Sequence, residues 1–207
     1  KYYICKSLHM NKKIYKITIK NESVLQKFFN DDSLKMKKNS KFIIYNDLKI
    51  GQNVLIEGNV KLGKKNEIQK DCYLKNIKIN NFNLIKMSSF IQNTNIGRNN
   101  IIGPFAYLRD NTNIKNNCIV GAYVEITRSL INSKTYISHR AFVGDAKIHS
   151  NTIVGAGTVF CNYNFKKRSK EKSIIGKNCK IGSNSTIIAP CNILPNTIVP
   201  ALTKFKT

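Results

Sequence analysis

An aliphatic residue returns every six positions through the C-terminal half of this chain, at Ile96, Ile102, Leu108, Ile114, Val120 and Ile126. The beat continues at Ile131, Ile137, Val143, Ile148 and Val154, with two five-residue steps. After an interruption it resumes at Ile175, Ile181, Ile187, Ile193 and Val199. Sandwich strands do not keep such a period; it is the mark of a parallel β-helix. Three hexads close one triangular coil, and each supplies a short strand and a corner. The aliphatic side chain points inward onto its equivalents in the coils above and below. Small residues, often Gly (Gly97, Gly103, Gly121), suit the tight corners. No coil can bury its aliphatic face alone, so the stack is the folding unit.

The spacing divides the chain in two. Residues 42–207 form the β-helical domain, and a loop at 161–173 leaves it. Early in this domain Leu48, Val54 and Val60 are six apart, with Ile50, Ile56 and Leu62 two positions after each. The beat then runs loosely through Cys72, Lys78 and Leu84, and a Lys at an inward position predicts an irregular or shifted coil. Residues 1–41 ignore the beat and read as a linker, partly helical. Lys12 to Lys20 alternates apolar and basic residues. A helix is predicted over Glu22 to Lys38, with Asn21 or Ser23 as N-cap and Val24, Leu25, Phe28 and Phe29 on one side.

Composition narrows the partners. Lys and Arg number 35 against 11 Asp and Glu, a formal net charge of +24. The excess is spread over the whole chain beside heavy Asn and Ile usage, as base-composition drift would produce. No groove-reading motif accompanies it, so nucleic acid is not the expected partner. The six cysteines form no C-x-x-C pair and no zinc spacing, and read as small buried or corner residues in a reducing compartment. No metal site is expected. There is no apolar run of membrane-spanning length and no signal-peptide pattern, so the expected location is cytoplasmic, away from the membrane.

Few residues carry chemistry. His9 lies outside the repeat, and His149 follows the inward Ile148 in a corner position. His139, two after Ile137, offers an imidazole able to accept a proton near neutral pH. Glu125 stands fourteen positions earlier, close enough in the coil period for a carboxylate–imidazole pairing. The interrupting loop carries Lys166, Lys167, Arg168, Lys170 and Lys172, either solvated or gathered around a phosphate.

Several segments occur in a telling order: Ile-Gly-Pro-Phe-Ala-Tyr-Leu-Arg (102–109), Val-Gly-Ala-Tyr-Val-Glu (120–125), His139 with Val-Gly-Asp-Ala (143–146), Val-Gly-Ala-Gly-Thr (154–158) and Cys-Asn-Tyr (161–163). From about Asn46 to Thr203 the chain resembles the acetyltransferase half of the bifunctional glucosamine-1-phosphate acetyltransferase / N-acetylglucosamine-1-phosphate uridyltransferase family. The resemblance implies a left-handed β-helix and N-acetylation of glucosamine 1-phosphate by acetyl-CoA, feeding UDP-N-acetylglucosamine and the cell envelope. It implies that His139 is the general base, Glu125 its orienting carboxylate, and Arg109 a phosphate ligand joined by Arg168 or Lys170. Ala156, Asn162, Tyr163, Ser183 and Ala201 fall on cofactor contacts. It further implies a homotrimer whose active sites are shared between subunits. The uridyltransferase half is not expected within residues 1–41. Three positions depart from the family pattern: Thr127 stands for a Lys, Phe142 for a Tyr and Ile153 for an Asn. The alternatives they raise are a hexapeptide acyltransferase with another acceptor, or a non-catalytic trimeric β-helix.

Overall fold

The computed structural model describes residues 14–18, 34–36, 41–45 and 47–206. Every regular element among them is a strand. One face of the coil is a nine-stranded parallel ladder that starts at Lys49–Ile50 and ends at Ile198–Val199. Its inward residues pair coil by coil: Ile50 with Ile68, Ile68 with Ile85, Ile85 with Ile102, Ile102 with Val120, and on to Ile181 with Val199. A second face carries Phe90–Gln92, Tyr107–Arg109, Glu125–Thr127, Phe142–Gly144, Val159–Cys161 and Thr186–Ile188. The third carries Thr94–Ile96, Thr112–Ile114, Leu130–Ile131, Ala146–Ile148, Ser173–Ile175 and Cys191–Ile193. Val54–Leu62 and Tyr73–Ile79 run round the corner between these two faces and join them.

The inward aliphatics predicted from the beat line the core. Ile102, Leu108, Val120, Ile126, Ile137, Val143, Val154 and Ile175 are all fully buried, and Phe160 is the largest such side chain. The corners explain the polar residues of the repeat. Nearly every corner places one residue at positive φ, a conformation that costs an ordinary side chain but that Asn tolerates. Asn99, Asn117, Asn151, Asn178 and Asn196 occupy this place on one corner, at φ from 55° to 65°.

A second use of Asn lies inside. Asn66, Asn83 and Asn100 stack on successive coils and are almost fully buried. The Asn66 side-chain oxygen accepts from the Asn83 backbone N–H at 2.8 Å, and that of Asn83 accepts from the Asn100 backbone N–H at 2.9 Å. Asn100 in turn accepts from the backbone N–H of Cys118 at 2.8 Å. Asn83→Ala leaves buried donors of Asn100 without an acceptor, and is expected to cost about 1–3 kcal/mol in a chemical denaturation series.

Cys72, Cys118, Cys179 and Cys191 are buried, as the repeat position predicts, whereas Cys161 is exposed at the base of the loop. Burial pushes the Cys72 thiol up to about 11. Among these five, a thiol-alkylating reagent at neutral pH is expected to label Cys161 in the folded chain and the other four only on unfolding. Mass-spectrometric mapping of the labelled sites checks this.

One expectation is refined and another corrected. A shifted coil does occur around Lys78, but Lys78 itself is not an inward residue. The inward residues there are Ile68, Leu74, Ile79 and Ile85, with a five-residue step, so Lys78 points outward between buried Ile77 and Ile79. The register shifts against the preceding coil between Glu57 and Val60, where a six-residue step faces that five-residue step. Gly58 takes up the extra residue at φ 71°, and a Cβ there would fall 2.0 Å from the Asn76 side-chain oxygen.

The segment before residue 42 is also more than a linker. Ile14–Thr18 (β1) pairs antiparallel with Lys41–Tyr45 (β3). Leu34–Met36 (β2) pairs parallel with Val54–Ile56, and β3 pairs parallel with the later part of the same strand. The predicted helix falls on residues 22–33, outside the described residues, and on β2, which is extended because its backbone joins the ladder.

Candidate functional site

The corner that follows the first face gathers four of the residues singled out above. His139, Ala156, Ser183 and Ala201 occupy equivalent places on consecutive coils. The backbone ladder of the corner fixes this alignment: the Gly157 N–H donates to the His139 carbonyl at 3.0 Å, that of Asn184 to Ala156 at 2.7 Å, and that of Leu202 to Ser183 at 2.9 Å. Close approach is obligatory here, since a Cβ on Gly121 would lie 2.8 Å from the His139 backbone nitrogen. The His139 side chain is exposed, with its Nδ1 3.5 Å from the Ser138 hydroxyl.

Glu125 lies on the second face, one coil before His139, and its backbone N–H donates to the Ala141 carbonyl at 3.0 Å. The expected carboxylate–imidazole hydrogen bond is not made. Glu125 Oε1 instead accepts from Arg109 Nε at 3.0 Å and from the Arg109 terminal nitrogen at 2.6 Å. A guanidinium on the adjacent coil offers two parallel donors to one carboxylate, which a neutral imidazole cannot match.

Arg109 leads to a larger charged cluster along the far edge of the second face. Its other terminal nitrogen pairs with Asp110, whose carboxylate also accepts from the Thr127 hydroxyl at 3.2 Å and from Arg128 at 3.4 Å. Arg128 holds Asp145 with two bonds, of 2.7 and 2.9 Å, and Asn162 donates its side-chain amide to the same carboxylate. Burial works against charge on Arg109, yet its hydrogen bonds to Glu125 and Asp110 outweigh it and hold the guanidinium protonated more firmly than usual. For Arg128 the hydrogen bond with Asp145 dominates and acts in the same direction. Asp145 is buried, which opposes its charge, but Arg128 and Asn162 together keep its carboxyl below the usual range.

Asn162 opens the loop. Beyond it Tyr163–Asn164 pairs antiparallel with Ser169–Lys170, a small hairpin that stands off the coil. Asn164 caps its turn by accepting from the backbone N–H groups of Lys166 and Lys167 at 3.0 and 3.1 Å. Glu171 is anchored by Asn164 and Lys167. Arg168 and Lys170 are exposed and form no ion pair among the described residues, while Lys170 lies near enough to Asp145 to act on its charge. Tyr163 is half exposed, with its ring edge-on to Phe165 at 5.2 Å. Thr127 is fully buried, Phe142 is half-buried, and Ile153 is exposed on the first face.

Sequence reading missed the parts played by Asp110 and Asp145. The signal was present at the coil period: Asp110, Arg128, Asp145 and Asn162 are separated by 18, 17 and 17 residues and meet in space. A scan at period six dilutes this among unrelated corners. Among the described residues, no three His, Cys, Asp or Glu side chains gather as a metal ion requires, and no helix is long and apolar enough to cross a membrane.

Residues 93–128 match the family described as bacterial transferase hexapeptide (six repeats). The chain carries a hexapeptide-repeat domain. This hexapeptide chain is 48% identical over 155 residues to the bifunctional protein GlmU of Buchnera aphidicola subsp. Baizongia pistaciae, covering 75% of this chain and 34% of that protein. It is 39% identical over 160 residues to the GlmU of Baumannia cicadellinicola, covering 74% and 34%. The hexapeptide chain thus spans about a third of the length of these curated relatives. Among solved structures, the Francisella novicida UDP-N-acetylglucosamine acyltransferase superposes on it with a TM-score of 0.50 at 18% identity, covering 76% of this chain and 59% of that one. The fold is the left-handed parallel β-helix of such acyltransferases.

Proposed function

We propose that this chain transfers the acetyl group of acetyl-CoA to the amine of glucosamine 1-phosphate, giving N-acetylglucosamine 1-phosphate for UDP-N-acetylglucosamine synthesis. The observation that carries the reading is the 48% identity to GlmU over 155 residues, a span that on this chain necessarily includes Arg109, Glu125 and His139. In this reading His139 takes a proton from the sugar amine as its nitrogen attacks the thioester carbonyl carbon. The C–S bond then breaks, CoA leaves as the thiolate, and the thiolate is reprotonated. An exposed imidazole on a rigid corner suits that role. Glu125, one coil away, is the proposed orienting carboxylate, held in place by Arg109.

Arg109 is the proposed phosphate ligand. Three of its five N–H groups are engaged by Glu125 and Asp110, so two remain for a phosphate. Arg168 or Lys170 on the hairpin supplies further positive charge. Ala156, Ser183 and Ala201 form a small-residue track above His139 for the acyl donor, and Asn162 and Tyr163, at the far edge of the second face, are proposed as further donor contacts. No metal ion is assigned a part in the transfer.

The proposed active unit is a homotrimer with sites shared between subunits. Support comes from the outward stripe of the first face, where Ile119, Tyr136 and Ile153 are about 40% exposed on consecutive coils. The buried thiols of Cys72, Cys118 and Cys179 fit a reducing, cytoplasmic setting.

The test is release of the free CoA thiol by the purified chain, supplied with acetyl-CoA and glucosamine 1-phosphate. Release that depends on the sugar phosphate is the expected result. Release only with another amine or hydroxyl acceptor would overturn the substrate assignment, and release with none would overturn the enzyme reading.

A further inference from the structure

Asp145 touches both ends of the segment that leaves the coil. Its carboxylate accepts from Asn162 at the departure, and its backbone carbonyl accepts from the Ser173 N–H at the return, 3.2 Å away. Its own N–H donates to the Thr127 carbonyl at 3.1 Å, and Arg128 grips the carboxylate from the coil below. The hairpin base closes just beyond, where the Glu171 N–H donates to the Asn162 carbonyl at 2.8 Å. Room for this arrangement is built in. A Cβ on Gly144 would lie 2.4 Å from the Asn162 amide nitrogen and 2.9 Å from the Phe142 ring, so only Gly lets Asn162 fold down onto Asp145.

We infer that Asp145, backed by Arg128, is a positioning residue that latches residues 162–172 to the coil and so presents Asn162 and Tyr163 to the acyl donor. The inference rests on the acetyl-transfer reading for its consequence but not for its mechanics. A carboxylate is suited to the post because it accepts from Arg128 and Asn162 at once, each bond being charge-assisted. Its ionised form is secured by those same donors, against the burial that opposes it. Without the latch, the hairpin keeps its internal bonds but swings about its base. The two residues it carries then reach the donor in only a fraction of molecules, which weakens binding by that fraction.

Two substitutions test this without backbone strain, since Asp145 sits at φ 51° and both Gly and Asn accept that region. Asp145→Gly removes the carboxylate. Asp145→Asn keeps an acceptor oxygen but loses the charge. The first measurement is amide hydrogen exchange of the ligand-free protein. Faster exchange confined to 162–172 is expected for Asp145→Gly, with partial protection in Asp145→Asn, while the coils exchange as in the parent. Unchanged exchange in 162–172 would overturn the latch, whether or not the chain turns over glucosamine 1-phosphate.

The second measurement is steady-state kinetics. KM for acetyl-CoA is expected to rise roughly tenfold in Asp145→Gly with kcat changed less than about threefold. Loss of kcat at constant KM, or a fall in stability with unaltered kinetics in the folded protein, would overturn the positioning role. Absence of turnover in the parent chain would defeat the acetyl-transfer reading and with it the kinetic consequence, while the exchange result still decides the latch.

Discussion

His139→Ala is expected to lower the rate of acetyl transfer by about 10²–10⁴-fold, the usual contribution of a positioned general base. The side chain is exposed on its corner and makes one long contact, 3.5 Å to the Ser138 hydroxyl, so its removal opens no cavity. The backbone groups that tie the corner, including the carbonyl that accepts from Gly157, are kept by Ala. Stability should therefore change by no more than about 0.5 kcal/mol. Initial rates of CoA release and a thermal melt of the same preparation separate the two effects. A variant that melts normally and still transfers at the parent rate would remove His139 from the chemistry.

Phe160→Ala is expected to be the most damaging single change to the coil, at about 3–5 kcal/mol. Phe160 is fully buried, in the inward column that neighbouring coils fill with Val143 and Ile187. It is also the last inward residue before the chain departs at Asn162. Truncation empties the core beneath a strand laddered to Phe142 on one side and Thr186–Ile188 on the other. Because each coil contacts only its neighbours, the cavity cannot be closed by repacking from a distance. Urea titration followed by circular dichroism measures the shift in midpoint. A cost under about 1 kcal/mol would mean that the stack relaxes around the void, contrary to the close packing of protein interiors.

The two positions differ in how openly the sequence announces them. Phe160 falls on the beat, and an inward place follows from counting. His139 stands two residues past an inward Ile137, so its exposure on a corner also follows from counting. Its alignment with Ala156, Ser183 and Ala201 does not, since the steps of 17, 27 and 18 residues include the loop and are set by the backbone ladder. Lys78 shows where counting fails: two neighbouring columns, Ile77 and Ile79, are both apolar and buried, and a five-residue step shifts one against the other. The partner of Glu125 could not be counted at all. Fourteen residues before His139 and sixteen after Arg109, it can reach toward either, and a forked guanidinium outcompetes an imidazole for a carboxylate.

The sequence by itself determined the coil, its inward columns and the corner residues, because these rest on side chains within one repeat choosing between core and water. Only the tertiary structure decided that β2 extends the ladder before residue 42, since parallel pairing is settled by which strand edge lies free. It alone decided that Asp110, Arg128, Asp145 and Asn162 form one connected edge. Those residues meet through the stacking of whole coils of 17 or 18 residues, and the Coulomb attraction that joins them acts between neighbours in space, with no local trace in the hexad.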